Sequence, residues 1–255
     1  MILTDTHSHL YAEEFSGDIA EAIERCKENN VQRIFLPNID STTIGVLKDL
    51  NSQFPDIMYP MMGLHPCSVQ FDNYKEELET IKTELYNGKY FAVGETGLDL
   101  YWDKSTLEIQ IESLRQHVEW SLELDLPIVL HARESTQEII DVLSDYSNEL
   151  KGVFHCFSGN AEQAQTIIDR GMYLGLGGVL TFKNSGLKDI VKDIGLKHIL
   201  LETDSPYLAP VPYRGKRNES SYLLNIAQFL ADLKGENLEK VAEITTNNSR
   251  LLFGV

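Results

Sequence analysis

The sequence predicts a closed (β/α)8 barrel, and three observations carry that expectation. Eight short apolar or β-branched runs alternate with amphipathic stretches, which is the pattern of βαβ units and a parallel sheet. The chain has 255 residues, close to the roughly 250 that eight such units need as one domain. Five of its seven histidines fall at or just beyond the C-terminal ends of the runs, the rim where such barrels build their sites. An open, doubly wound sheet is the structural alternative.

The expected strands are Ile2–Thr4, Arg33–Leu36, Ile57–Met62, Phe91–Gly94, Ile128–Leu130, Val153–Phe154, Tyr173–Leu176 and Ile199–Leu201. Helical patterns lie between them, for example at Asp18–Glu28, Tyr74–Tyr86, Leu107–Leu124, Glu138–Leu143 and Ala161–Asp169. Two more, near Ser221–Leu233 and Leu238–Asn247, are expected on the outside of the barrel. The segment Ala209–Arg217 carries two prolines and a glycine and reads as a long loop after the eighth strand. No linker or composition shift divides the chain, so residues 1–255 are expected to form a single domain.

Hydrophobic residues make up 42% and charged residues 24%, ordinary values for a globular chain. The formal net charge of −17 argues against a protein that coats nucleic acid through a broad basic surface. It leaves open a site where bound metal supplies the positive charge. Cys26, Cys67 and Cys156 form no CxxC pair, so a reducing compartment is expected. With no leader pattern and no run of roughly 18 apolar residues, the expectation is a cytoplasmic protein away from membranes, monomeric or weakly oligomeric.

The chemistry is expected at the strand ends. His7 and His9 follow strand one two residues apart, so both imidazoles face the same way and can bind one metal. Glu95 is read as ending strand four, where its two oxygens can bridge two cations, and the glycines on either side imply tight backbone geometry. His131 ends strand five, His155 ends strand six, and His65 follows strand three. Asp204 ends strand eight, next to strand one in a closed barrel. Glu202, two residues earlier, faces the same side and can orient a ligating histidine or serve as a buried structural carboxylate. His117 and His198 fall outside this pattern.

The motifs DTHSHL, GLHP, GETGLDLYWD, LPIVLHARES, HCFSG and LLETDSPYLAP run in order from Asp5 to about Asn218. Together they resemble the TatD family of deoxyribonucleases. That resemblance implies a two-metal hydrolase with His7, His9, Glu95, His131, His155 and Asp204 as ligands. It puts His65 and Arg133 on the substrate side, and Asp204 and Glu95 at the catalytic centre. The implied reaction is 3′-to-5′ exonuclease hydrolysis of single-stranded DNA, with magnesium, manganese or zinc as the cations. Asp204 would hold the attacking water and take its proton. Tyr101, Trp102 and Tyr207 near the mouth can stack on nucleobases or simply pack at the rim. One departure is Ser220, where many members carry proline, which touches the substrate loop and not the metal centre.

Two other readings stand beside this one. A metal-dependent deacylase or amidohydrolase acting on an ester or amide, such as aminoacyl-tRNA, would use the same ligands. A lactonase would often carry a modified lysine at the end of strand four, where this chain has Glu95. A non-catalytic metal-binding module is the third reading, since a fold does not fix a function.

Overall fold

Each apolar run becomes a short parallel strand, and each amphipathic stretch a helix that lays its apolar stripe on the strands. In the computed structural model, which describes residues 1–146 and 149–255, the strands are β1 (Leu3–Asp5), β2 (Val31–Leu36), β3 (Met58–Pro60), β4 (Val93–Asp99), β5 (Ile128–Arg133), β6 (Gly152–Phe154), β7 (Tyr173–Leu176) and β8 (Ile199–Leu201). Between them run α1 (Ile19–Glu28), α2 (Ile44–Gln53), α3 (Tyr74–Asn87), α4 (Leu107–Leu124), α5 (Thr136–Leu143), α6 (Ala161–Asp169) and α7 (Leu187–Asp193). Two helices follow β8: α8 (Leu223–Lys234) and α9 (Leu238–Phe253). The helix ends carry local signals: Asn160 and Gln163 form a reciprocal cap at the start of α6, and α8 stops at Gly235 with φ 64°.

The strands pair in parallel as β1-β2-β3 and β4-β5-β6-β7-β8. Two seams close these arcs into a ring. At one, Met62 pairs with Val93 and Gly94 N donates to Met62 O at 2.8 Å. At the other, Ser8 pairs with Ser205 and Thr6 N donates to Leu201 O at 3.0 Å. The fold is the α/β barrel that the sequence predicts, and the open sheet is excluded.

Inside the ring, Phe35, Met61, Ala92, Val129, Val153 and Leu200 meet Leu252 and Phe253 from the end of α9. The ring's lower end is therefore closed by α9. Asn248 of that helix donates to Leu196 O and Ile199 O at 2.8 Å each, and Thr246 donates to Ile2 O at 2.9 Å. These bonds tie α9 to the segments that lead into β1 and β8. The larger apolar layer, between strands and helices, contains Leu3, Ile34, Leu98, Leu130, Phe154 and Leu174. Side chains alternate along a strand, so the inward set leads upward to functional positions. Met61 leads to His65, Val129 to His131, Val153 to His155, and Leu200 to Glu202 and Asp204.

His117 of α4 shows how a helix supports the rim. It is fully buried; its Nδ1 lies 2.7 Å from Ser113 O, and its Nε2 accepts Leu64 N at 3.0 Å, just before His65. That geometry requires the neutral ring with its proton on Nδ1. Burial lowers its pKa to about 4, although the Ser113 bond acts in the other direction. Since the folded value lies below the unfolded one, stability from this group is complete above about pH 6.5 and lost as pH falls toward 4. Replacing His117 with Gln should remove a pH-dependent component on the order of 3 kcal/mol from that window. Urea unfolding of both proteins between pH 7 and pH 4 measures the difference.

No helix among the described residues is long and apolar enough to cross a membrane.

Candidate metal centre

Two of the strand ends differ from the sequence expectation. Glu95 lies within β4, which continues to Asp99, and His131 lies within β5, which continues to Arg133. The glycines that read as a strand end instead let two backbones approach. Gly97 has φ 143°, and a Cβ there would overlap the His131 carbonyl. The register of β4 against β5 shifts between Val93 and Thr96, which turns Glu95 toward the barrel axis. At β8 the strand stops at Leu201. Asp204 follows in a left-handed conformation, φ 57°, with its N–H donating to His7 O at 2.9 Å.

Glu95 is the centre of the site, and its two oxygens face different partners. Oε2 lies 3.1 Å from His7 Nε2 and 3.6 Å from His9 Nε2. Oε1 lies 2.8 Å from His131 Nδ1, 2.8 Å from His155 Nε2 and 3.4 Å from His65 Nε2. Asp204 Oδ1 completes the first side, 3.8 Å from His7 Nε2 and 3.6 Å from His9 Nε2. The two sides meet where the His7 and His155 rings stack, 3.8 Å apart and nearly parallel. Three overlapping groups have donor atoms within one cation's reach: His7, His9 and Glu95; His7, His155 and Asp204; His65, Glu95 and His131.

The far nitrogen of each ring decides what the near one can do. Tyr11 donates to Pro37 O at 2.5 Å, so at 2.8 Å its oxygen takes the proton of His9 Nδ1 and frees Nε2 as an acceptor. Asp99 Oδ2 lies 3.0 Å from His131 Nε2, which leaves the Nδ1 lone pair facing Glu95. The Glu202 carboxylate lies 3.6 Å from His155 Nδ1 and accepts the Cys156 N–H. His65 is the reverse case: its Nδ1 accepts Cys67 N at 3.1 Å, so the neutral ring carries its proton on Nε2, toward the site. His9 and His131 thus resemble ligands, and His65 a donor, while His7 and His155 turn Nε2 to Glu95 with no hydrogen bond at Nδ1 among the described residues. Asp99 and Tyr11 were not singled out from the sequence. Asp99 sits in a stretch that reads as a turn, and its only signal is its position four residues after Glu95.

The electrostatics differ between the two sides of Glu95. Burial opposes ionisation of Glu95, but His155, His7, His65 and the His131 hydrogen bond outweigh it and hold the carboxylate well below its usual range. Burial and His155 push His7 down to about 4, and burial with the His7 charge pushes His9 well below its usual value. His155 moves well above, since Glu95 and Glu202 outweigh burial. Burial raises Asp204 to about 7, against the pull of His155. Burial opposes protonation of His131 and His65 as well, but Asp99 and Glu95 raise the first and Glu95 raises the second. The ionised Glu95 beside neutral His7 and His9 is thus ready for a cation, whereas a cation on the His131 and His155 side would displace protons from those rings. Among the described residues, His7 Nε2, Glu95 Oε2 and Glu202 Oε2 are buried with no hydrogen-bond partner. Such atoms are costly unless something occupies them. The nitrogen and oxygen donor set fits a divalent cation.

Arg133 stands at the exposed rim, its guanidinium 3.9 Å from the Tyr101 ring centroid and 5.4 Å from that of Trp102. Ser220 is buried and donates to Ser8 Oγ at 3.1 Å, which ties the loop after β8 to the one after β1.

Comparison with known proteins places the chain in a family. The family model described as TatD related DNase matches residues 4–254. The uncharacterized metal-dependent hydrolase YabD of Bacillus subtilis is 40% identical over the full length of both chains. YcfH of Escherichia coli, also an uncharacterized metal-dependent hydrolase, is 32% identical over 100% of this chain and 97% of its own. The crystal structure of YjjV, a TatD homologue from Escherichia coli, superposes with a TM-score of 0.93 at 28% identity, covering 99% of this chain and 98% of the other. The chain belongs to the TatD-related DNase family and is a metal-dependent hydrolase, with a buried cluster of histidines and carboxylates that can hold the metal.

Proposed function

We propose that this chain hydrolyses phosphodiester bonds of DNA, removing nucleotides from the 3′ end of single strands, with two divalent cations at the mouth of one barrel domain. The observation that carries the reading is the division of Glu95, one oxygen toward His7 and His9, the other toward His131 and His155. His7, His9, Asp204 and Glu95 would hold one cation; Glu95, His131 and His155 would hold the other. Mixed imidazole and carboxylate donors suit zinc or manganese, and magnesium where phosphate oxygens add to the set. Bound there, the cations would supply Lewis acidity and bring the pKa of a water toward neutrality.

The chain's own groups do the rest. Asp204 Oδ1 accepts the proton of the attacking water. Its burial, which lifts the carboxyl to about 7, suits a general base at neutral pH. His65 offers its Nε2 proton to a phosphoryl oxygen. Arg133 meets a phosphate in the fork geometry that guanidinium favours. Glu202 lies 3.6 Å from His155 Nδ1 and would orient that ring electrostatically. The net charge of −17 gives no general attraction to long duplexes, so capture of an end is favoured.

A 5′-labelled single strand should shorten stepwise in the presence of manganese or magnesium. Linearisation of closed circular DNA without shortening would contradict the polarity. Release of amino acid from aminoacyl-tRNA with no action on DNA would support the deacylase instead. Arg133→Ala should raise KM for an oligonucleotide about 10-fold or more, on the scale of a charge-assisted hydrogen bond to phosphate. Steady-state kinetics on that oligonucleotide checks it.

A further inference from the structure

Asp99 links the metal centre to the rim. While its Oδ2 lies against His131 Nε2, its Oδ1 accepts the backbone N–H groups of Tyr101 at 3.0 Å and Trp102 at 3.2 Å. The turn after β4 is therefore held by the same carboxylate that orients a candidate ligand. That turn presents two aromatic side chains outward: Tyr101 is 52% exposed and Trp102 is 69% exposed. Their rings meet edge to face at 5.0 Å, and the Arg133 guanidinium lies over both.

Exposing two large rings to water is unfavourable unless something covers them. Several features of the patch point to the chemistry of that partner. Among the described residues Arg133 has no carboxylate partner, in a chain with 39 acidic residues. Its charge is steadied by ring faces and its N–H donors remain free for an anion. An apolar peptide would leave that guanidinium unused, and a lone phosphate would leave the rings bare. A nucleotide uses both, with its phosphate on Arg133 and its base on an aromatic face.

We propose that Trp102, steadied by Tyr101 and Arg133, is a base-stacking platform that receives one unpaired nucleobase of the substrate strand. The proposal rests on the reading of the enzyme as a deoxyribonuclease of single strands and adds the residue that receives one of their bases. A base must leave its duplex stack to lie on the indole, so single strands and frayed ends are preferred. Every base has a stacking face, so little sequence preference follows.

Tryptophan fluorescence tests this without requiring turnover. The chain has two tryptophans, and Trp120 is buried, so an added ligand reaches Trp102 alone. A single-stranded phosphorothioate hexanucleotide should quench the emission in a saturable way, and the quenching should be absent in Trp102→Leu. A series of hexanucleotides, each with one abasic position, should contain one member whose affinity is weaker roughly 10-fold, the scale of one stacked base. Trp102→Leu should raise KM for the matching intact DNA strand by a similar factor, and should show no further loss when that one base is removed. Absence of saturable quenching, or equal loss on abasic replacement in both proteins, would overturn the platform. Quenching without any DNA hydrolysis would keep the platform and count against the nuclease. Hydrolysis without quenching would do the opposite.

Discussion

Asp204→Asn should bind metal nearly as well as the parent protein and hydrolyse DNA about 10²–10⁴-fold more slowly. Asparagine keeps the shape and one carbonyl oxygen but cannot accept a proton at neutral pH. The position allows the comparison because the backbone is fixed independently of the carboxylate: Asp204 N donates to His7 O, and the left-handed φ of 57° is one that asparagine also tolerates. Metal content by elemental analysis and kcat on a labelled single strand, measured on the same preparation, decide the matter. Near-normal turnover at saturating metal would remove Asp204 as the base. Glu202 would not be a simple replacement, because its carboxylate is engaged by the Cys156 N–H and faces His155 Nδ1.

Glu95→Ala should fail in a different way, losing metal as well as rate. In the parent protein the five rings of His7, His9, His65, His131 and His155 surround one carboxylate, and each has a nitrogen within 2.8–3.6 Å of it. Without Glu95 those imidazoles face each other with no negative charge between them. Two cations would then have to share a ligand set without its bridge. The expectation is metal occupancy below half of the parent's at equal free metal, and activity lower by at least about 10³-fold. The second figure reflects lost electrostatic stabilisation and lost positioning together. Isothermal titration with manganese, alongside the activity assay, checks both. Retention of full occupancy would show that Glu95 does not bridge.

The barrel was legible because strand and helix periods alternate plainly and because polar rim residues follow apolar runs at regular places. His131 and His155 could be read from Val129 and Val153 by two-residue parity. Glu95 could not be placed the same way. The register shift between Val93 and Thr96 reverses the parity, and Gly94 and Gly97 look like the end of a strand that in fact runs on to Asp99. That misreading also hid Asp99, whose role depends on β4 lying against β5 as far as the Asp99–Arg133 pair. Tyr11 was hidden for another reason. Its contact with His9 depends on the Pro37 carbonyl, 26 residues away, which fixes the direction of the phenolic proton. Sequence spacing identifies which residues reach the mouth. The tautomer of each ring, which separates His65 from the ligand-like histidines, depends on long-range packing.

If Glu95 bridges a pair of cations, both should be visible in one diffraction experiment. The experiment uses crystals grown with manganese, with data collected at its absorption edge. Two anomalous peaks are expected, one beside Glu95 Oε2 with His7, His9 and Asp204, the other beside Oε1 with His131 and His155. His65 should be outside bonding distance of either peak. A single peak, or a peak bonded to His65 Nε2, would contradict that arrangement.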